Sequence, residues 1–350
     1  MDEFALVTDS ARWSLSACIV IFVISAAVIA TVGYRLTVLA DCLADRTGLG
    51  EALTGAFLLG AMTSLPEISA TITAARQGHA PLAVSTALGG VAAQTVFLVM
   101  ADFTYRKANL EHAAASIANV MQGTLAIVLI AFPILAAMMP NYEWFVIHPI
   151  TPLMFGVYVY GLYLVFRVQS NPMWRPRQTS ETREDQIDNL RDQHIPLWRL
   201  WAQFIPTAII VGFGGWFIAK SGIALSQITG LSETLVGALF TSIATSFPEL
   251  VTTLVAVRQG ALTLALGGIL GGNAFDSLLV AVSDVAYQPG SIYHVITPDQ
   301  IFLMGLTIIM TSILLMGLIR REQHGIANIG FESFSILLLY IGGALYLVLK

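Results

Sequence analysis

Long apolar runs separated by short polar segments make up most of the chain. A helix needs about 20 mostly apolar residues to cross the hydrocarbon core of a bilayer, and the runs are of this order. The pattern predicts ten transmembrane helices, at about residues 13–36, 51–76, 82–105, 114–138, 143–166, 198–220, 232–257, 262–286, 299–319 and 330–349. Residues 169–197 alone resemble a soluble connector, because they are rich in proline and in charged residues.

The composition favours an all-α integral membrane protein. Hydrophobic residues make up 56% of the chain, charged residues make up 11%, and the mean hydropathy is +0.75, whereas soluble domains average about 25% charged residues. The N-terminus is acidic where a signal peptide would be basic, so we predict that the first apolar run is retained as a helix. We expect the lipid bilayer to be a partner, and we expect no nucleic acid because the basic residues flank the spans.

The basic residues are distributed unevenly between the two sides of the predicted membrane. Of the 17 lysines and arginines, thirteen fall in or beside the connections that follow odd-numbered spans, and four fall on the other side. Cytoplasmic connections of membrane proteins are enriched in Lys and Arg. We therefore predict a multi-pass protein of the cell membrane, with both termini outside and the central linker in the cytoplasm.

The chain contains the same segment twice. Residues 47–105 align without a gap on residues 229–287, at an offset of 182, with 24 of 59 positions identical. Equivalent helices are five spans apart, so the second half must enter the membrane upside down. The sequence thus predicts two inverted five-helix repeats, residues 1–168 and 198–350, joined by a linker at 169–197. Inverted repeats are typical of secondary transporters, which bind substrate near the bilayer midplane where the repeats meet.

Each repeat places a glutamate directly after a proline in the middle of an apolar run. These are Glu67 after Pro66 and Glu249 after Pro248. A charged side chain at the bilayer centre costs about 2.5–3.5 kcal/mol on insertion scales, and such residues are usually functional. Proline supplies no backbone N–H, which releases carbonyls of the preceding turn. We predict that the two glutamates converge on one site and share a divalent ion or protons.

Other polar residues lie close to the glutamates along the two repeats. The hydroxyl residues one turn before them, on the same helix face, are Thr63, Ser64, Thr245 and Ser246. Asp276 adds a third carboxylate in mid-span, and Gln94 is its uncharged counterpart in the first repeat. Carboxylate, hydroxyl and carbonyl oxygens suit hard cations such as Ca²⁺, Na⁺, Mg²⁺ and Mn²⁺. The difference between Gln94 and Asp276 predicts unequal contributions from the two repeats.

The two glutamate motifs resemble the cation/calcium exchanger superfamily, whose two α-repeats each carry a G-T-S-x-P-E signature. The copies here read Thr63-Ser64-Leu65-Pro66-Glu67 and Thr245-Ser246-Phe247-Pro248-Glu249. The resemblance implies that Ca²⁺ is exchanged against Na⁺, or against H⁺ in some branches. It also implies alternating access, in which the first and sixth spans slide over the fixed glutamate helices.

The resemblance assigns roles by motif position. Glu67 and Glu249 match the paired Ca²⁺ ligands, and Asp276 with Gln94 matches the polar residues of the flanking helices. The hydroxyl and carbonyl ligands of the family fall on Thr63, Ser64, Thr245 and Ser246. The implied partners are inorganic cations, transported and not retained, and no cofactor is implied.

The second family motif, roughly G-N-x-x-G-S-N-x-x-N/D, is altered in both copies. Its serine is replaced by Gly90 in the first copy and by Gly272 in the second, and Val91 replaces an asparagine. The glycine that begins G-T-S is replaced by Met62 and Ala244. These changes remove neutral oxygens that the family uses mainly for coupling ions, so the divalent site looks more intact than the sodium sites.

We therefore predict a secondary active antiporter that exchanges Ca²⁺, or a related divalent cation, for Na⁺ or H⁺. One alternative is a proton-coupled exchanger without Na⁺ dependence. Another is a channel or uniporter that uses the same carboxylates for selectivity. We predict no enzyme activity, because the chain has no metal-binding histidine helix and no nucleophile motif.

Overall fold

The structure of the chain is a computed structural model that describes residues 13–47, 60–105, 108–114, 116–140, 147–177, 179, 196–323 and 330–350. These ranges are mainly helical and contain no β-strand. The membrane helices are α1 Leu15–Thr47, α2 Leu65–Arg76, α3 Ala80–Thr104, α4 Ile117–Met138, α5 Ile150–Ser170, α6 Leu197–Thr229, α7a Glu233–Thr245, α7b Phe247–Gln259, α8a Leu262–Asp276, α8b Leu279–Ala286, α9 Pro298–Arg320 and α10 Phe331–Leu349. The all-α membrane fold is confirmed.

The number of spans agrees with the prediction as far as the described residues reach. Eight helices there are long and apolar enough to cross a membrane, and α7a with α7b, bent by 47°, makes a ninth. The first part of the predicted span at 51–76 lies outside the described residues, so the count of ten stays a prediction. We call the membrane face where α5 ends and α6 begins the linker face, and the other the distal face.

The first and sixth helices are longer than predicted. Both α1 and α6 have 33 residues, which corresponds to about 50 Å against a hydrocarbon core of about 30 Å. The predicted ends, at residues 36 and 220, are wrong. They rest on the first charged residues, Arg35 and Lys220, whereas the helical hydrogen bonds continue beyond these residues. Arg35 donates to the Gln203 side chain at 3.0 Å and so joins the two helices on the linker side.

The helices form a buried centre and a lipid-facing pair. The spanning part of α3 is buried along its whole length, and α3 packs against α2, α7, α8, α9 and α10. In contrast, α1 and α6 pack on each other and on the glutamate helices α7b and α2. Their outer surfaces expose apolar side chains such as Val23 and Phe213. The polar residues of the predicted site therefore belong to the most enclosed helices.

Two glycines show that the repeat relation extends beyond the aligned segments. A Cβ atom built on Gly33 of α1 would lie 2.5 Å from Cγ of Pro248. A Cβ atom on Gly215 of α6 would collide with the carbonyl oxygen of Pro66. These contacts are equivalent at the offset of 182 residues, and both cross from one repeat to the other. Each long helix therefore touches the proline of the opposite repeat's glutamate helix.

The ends of α3 and α8b carry a second pair of equivalent contacts. Asp102 accepts hydrogen bonds from the Leu110 N–H at 2.8 Å and from the Ser333 hydroxyl at 2.9 Å. Asp284 accepts equivalent bonds from the Ile292 N–H at 2.9 Å and from the Thr151 hydroxyl at 2.7 Å. Both carboxylates are buried. They tie a helix end of one repeat to a helix start of the other, which agrees with the predicted inverted arrangement.

We predict that Gly215→Ala destabilises the protein. The added methyl group would overlap the Pro66 carbonyl, and backbone atoms cannot move aside as a flexible side chain can. Overpacking of this kind typically costs about 1–3 kcal/mol, so the melting temperature of the purified protein in detergent should fall. Gly212→Ala, on the same helix, is the matched control, because a Cβ atom built on Gly212 meets no neighbouring atom within 4 Å. Equal melting temperatures for the two variants would contradict the proposed contact.

Candidate cation-binding site

Both glutamate helices begin at a break in the chain direction. Ser64 and Ser246 precede α2 and α7b with nearly identical backbone angles, φ −83° and ψ 9° against φ −90° and ψ 9°. Pro66 and Pro248 occupy the first turn of each helix, where a missing N–H is tolerated. The carbonyls of Met62 and Ala244 therefore lose the partner that an N–H one turn later would have supplied. This local structure explains why the bend at Ser246 reaches 47°.

The breaks bring Glu67 and Glu249 into the protein interior. Glu67 is 1% exposed and Glu249 is 6% exposed. Asp276 ends α8a, is fully buried, and lies within electrostatic range of both glutamates, which also sense each other. The three predicted carboxylates, from α2, α7b and α8a, therefore lie within electrostatic range of one another.

Gln94 and Asp276 meet at the point where the repeats are related to each other. The Gln94 Nε2 group donates to Asp276 Oδ2 at 2.6 Å, and the two residues are equivalent at the offset of 182. Equivalent residues can touch only close to a two-fold axis. The site therefore lies on the pseudo-two-fold axis, with an acid from one repeat paired to an amide from the other.

The predicted hydroxyl residues fall into two groups. Ser64 lies beside Asp276, and Ser246 lies beside Glu67, so each serine faces an acid of the opposite repeat. The Gln94 Nε2 group also approaches Ser246 Oγ at 3.5 Å. The threonine hydroxyls instead donate back into their own helices, Thr63 to the Gly60 carbonyl at 3.0 Å and Thr245 to the Thr241 carbonyl at 3.0 Å. Only lone pairs of the threonines remain for a cation.

Five of the six carboxylate oxygens lack a hydrogen-bond donor among the described residues. Within the described ranges, both oxygens of Glu67, both oxygens of Glu249 and Oδ1 of Asp276 are buried without a hydrogen-bond partner. No Lys, Arg or His side chain in those ranges forms an ion pair with them. Buried polar groups are normally hydrogen-bonded, and buried charges are normally paired or bound to a metal ion. The arrangement can bind a hard cation or carry protons.

Two residues near the acids were not among the predicted ligands. Gly90 faces Glu67, since a Cβ atom built on it would collide with Glu67 Oε1. Asn273 is buried, donates from Nδ2 to Thr95 Oγ1 at 3.1 Å, and leaves Oδ1 without a partner. The family motif has an asparagine at the position of Asn273. This match is the signal in the sequence that could have identified Asn273 as a site residue. Nothing in the sequence identifies the space at Gly90 as room for Glu67.

The fold and the site define a class of protein. Two inverted helical repeats meet at an axis lined by buried acids, and broken helices form that meeting point, as in secondary transporters. A sequence profile of the family described as sodium/calcium exchanger protein matches residues 17–169 and 199–349. The chain belongs to this family.

Individual relatives agree with the family assignment. The chain is 26% identical over 259 residues to the inner membrane protein YrbG of Escherichia coli (strain K12). The aligned region covers 74% of this chain and 76% of that protein. It is 28% identical over 139 residues to the sodium/calcium exchanger MaX1 of Methanosarcina acetivorans, covering 38% of each. The crystal structure of the H⁺/Ca²⁺ exchanger CAX has a TM-score of 0.68 at 12% identity, covering 95% of this chain and 86% of that chain. This likeness shows the common fold.

We predict that Gly90→Ala weakens cation binding. The added methyl group would occupy the position of Glu67 Oε1, so the carboxylate must move. We expect the Ca²⁺ concentration for half-maximal binding to rise about tenfold, which corresponds to about 1.4 kcal/mol. Gly268→Ala is the control, because a Cβ there meets no atom within 4 Å. Unchanged binding in Gly90→Ala would place the cation away from Glu67.

Proposed function

We propose that this chain is a secondary active antiporter that exchanges Ca²⁺, or a related divalent cation, for Na⁺ or H⁺ by alternating access. The proposal depends on the group of buried carboxylates at the axis between the repeats. In this group of Glu67, Glu249 and Asp276, five of the six oxygens lack a donor among the described residues, and Oδ2 of Asp276 accepts from Gln94. Membership of the sodium/calcium exchanger protein family supports it. In this proposal, the three carboxylates with Ser64, Ser246 and Gln94 bind the divalent ion.

The two long helices are suited to the moving part. Because α1 and α6 pack on each other and on the glutamate helices, a joint displacement of the pair would expose or cover the site from either face. Gly33 lies against Pro248, and Gly215 lies against Pro66. Because glycine has no side chain, these contacts are close without interlocking side chains. The glutamate helices would stay in place, since they are enclosed by α3 and α8. This division of roles accounts for alternating access.

The geometry favours H⁺ over Na⁺ as the coupling ion. Na⁺ requires several neutral oxygens, and the motif serine is replaced by Gly90, where Glu67 leaves no room for a side chain. The three carboxylates, with five of their six oxygens free of a donor among the described residues, can take up protons when the divalent ion leaves. The relative MaX1 is described as a sodium/calcium exchanger, however, so both ions enter the experimental comparison.

We infer the orientation from the charge distribution. The linker face carries the ends of α1, α5 and α9 with Arg46, Arg167 and Arg320, and basic residues concentrate on the cytoplasmic side of membranes. The linker would then be cytoplasmic and both termini outside, in the cell membrane.

Uptake of ⁴⁵Ca²⁺ into proteoliposomes tests the proposal. Purified protein is reconstituted with an outward H⁺ gradient, an outward Na⁺ gradient, or neither. We expect uptake that requires the H⁺ gradient. Uptake that requires only the Na⁺ gradient would keep the antiporter and overturn the choice of coupling ion. Uptake with neither gradient would support a channel or uniporter, and no uptake under any condition would contradict Ca²⁺ transport.

We predict that Glu67→Gln and Glu249→Gln each abolish this uptake. Each substitution keeps the volume of the side chain and removes one ligand charge, so both proteins should insert and purify normally. Asp299→Asn is the matched control, because Asp299 pairs with Lys350 at the distal face, away from the site. Normal uptake by either glutamate variant would refute a shared site.

A further inference from the structure

A cleft at the distal face lies between three membrane helices. Its volume is about 460 Å³, within the range of about 300–1,000 Å³ that is typical of ligand pockets. Its walls come from the last two turns of α2, the first two turns of α5 and the end of α8b. The residues that line it include Ile72, Arg76, Phe155, Val282, Val285 and Gln288. We refer to this feature as the distal cleft.

The apolar walls of the distal cleft are open to the surroundings of the helix bundle. Val282 and Val285 are three residues apart on α8b, so they share one helix face. Val285 is 56% exposed, and Phe155 of α5 is partly exposed. Both residues belong to helices that are long and apolar enough to cross a membrane. Their exposed surfaces therefore face lipid chains.

The polar side chains of the cleft lie at its membrane-surface end. Arg76 is the last residue of α2, and Gln288 follows the end of α8b. Ile72 is four residues before Arg76 on the same helix face, which places it about 6 Å deeper along the helix. The cleft thus has a cationic mouth at the headgroup level and an apolar wall beneath it. An amphiphile with an anionic head and an acyl chain matches this order.

The positive charge of Arg76 has no counterpart in the described part of the protein. Arg76 is exposed, and the ion pairs of the described ranges involve other residues. It is also the only charged residue among the described residues that line the cleft. Lys and Arg side chains near the membrane surface attract anionic lipid headgroups. The cleft therefore favours a ligand that brings a negative charge.

The equivalent place at the linker face has bulkier walls. The correspondences at the offset of 182 residues are Arg76 with Arg258, Val282 with Met100 and Val285 with Phe103. A basic residue at the end of a glutamate helix is common to both repeats, and its interaction with the helix dipole explains it. The smaller valine side chains beside Arg76 are specific to the distal face. The room next to the charge, and not the charge alone, distinguishes the cleft.

We propose that the distal cleft binds an anionic phospholipid of the distal leaflet. The headgroup phosphate would pair with the Arg76 guanidinium, whose planar N–H groups fit phosphate oxygens. One acyl chain would lie along Ile72, Phe155 and Val282. Because the walls are apolar and open to the membrane, a lipid fits the cleft better than a free anion does.

The bound lipid would join helices that carry the predicted cation ligands. Glu67 lies on α2, nine residues and about 14 Å from Arg76, and α8b follows the segment that ends at Asp276. The lipid would link the distal ends of these two segments to α5 without contacting the cation. We expect it to stabilise the part of the fold that stays in place during the proposed cycle.

Binding of a labelled phospholipid to the immobilised full chain in detergent tests the headgroup contact. The probe is phosphatidylglycerol with one fluorescent acyl chain. We expect saturable binding, and we expect Arg76→Gln to raise the Kd at least about fivefold because the headgroup loses its charged partner. Lys220→Gln is the matched control, since it removes a positive charge from α6 outside the cleft. Its Kd should equal that of the unaltered chain.

A second variant tests the apolar wall. Val282→Met/Val285→Phe copies the residues of the equivalent place at the linker face, so it fills the cleft with side chains that the fold already accepts there. We expect the Kd for the labelled lipid to rise at least about fivefold. A Kd that stays unchanged in this variant or in Arg76→Gln would overturn the proposal.

Competition with unlabelled compounds identifies the ligand chemistry. Phosphatidylglycerol should displace the probe, whereas phosphatidylcholine and inorganic phosphate at the same concentration should not. Displacement by inorganic phosphate would indicate a site for soluble anions, and equal displacement by phosphatidylcholine would indicate a site for acyl chains alone. Either result would overturn the proposal. The measurement includes no transport step, so its failure would leave the antiporter proposal intact.

Discussion

The burial of three carboxylates without a compensating charge is the constraint on which the arrangement depends. Glu67, Glu249 and Asp276 lie in the most enclosed part of a membrane protein, and the described residues supply no basic partner. The penalty for an ionised group in such surroundings is several kcal/mol even after relaxation. In the proposed function, protons or a divalent cation supply the missing positive charge. Exchange would follow from this requirement, because one occupant could leave only when another replaces it.

The inverted repeats provide the geometry for this exchange. A two-fold relation brings equivalent residues face to face at the axis, and the contact between Gln94 and Asp276 is the direct sign of it. The symmetry is broken in chemistry at this point, since one partner is an amide and the other an acid. The site therefore has three carboxylates and one amide. The amide N–H of Gln94 is the hydrogen-bond donor that orients Asp276. In the proposed alternating-access cycle, a cation entering from either face would meet the same set of ligands.

Much of this arrangement follows from the sequence. The glutamates stand out because a proline and an acid inside an apolar run conflict with ordinary membrane helices, and the repetition of the motif at a fixed offset predicts that they meet. Asp276 is predicted because it is a charged residue in the middle of an apolar span. The lengths of α1 and α6 are not, because hydropathy changes at Arg35 and Lys220 whereas backbone hydrogen bonding does not.

Other features depend on contacts that no local pattern encodes. In the sequence, Gly33 and Gly215 cannot be told from ordinary helix-packing glycines. The structure shows that each contacts the proline of the opposite repeat's glutamate helix. Glu111 lies in a polar connection and reads as an exposed loop residue. It is buried because the turn at Leu110–Ala113 packs against α8a and α9, and Asp102 accepts the Leu110 N–H. The offset of 182 residues becomes informative at these positions only when the structure shows which equivalents differ.

The most direct test of the central claim is to locate a bound cation. Crystals of the full chain soaked in Mn²⁺ would give an anomalous difference map that identifies the metal without reference to the protein density. The account predicts a peak in contact with Glu67 and Glu249, next to Asp276 on the axis between the repeats. A map from Mn²⁺-containing crystals with no peak among these three carboxylates would contradict a shared cation site.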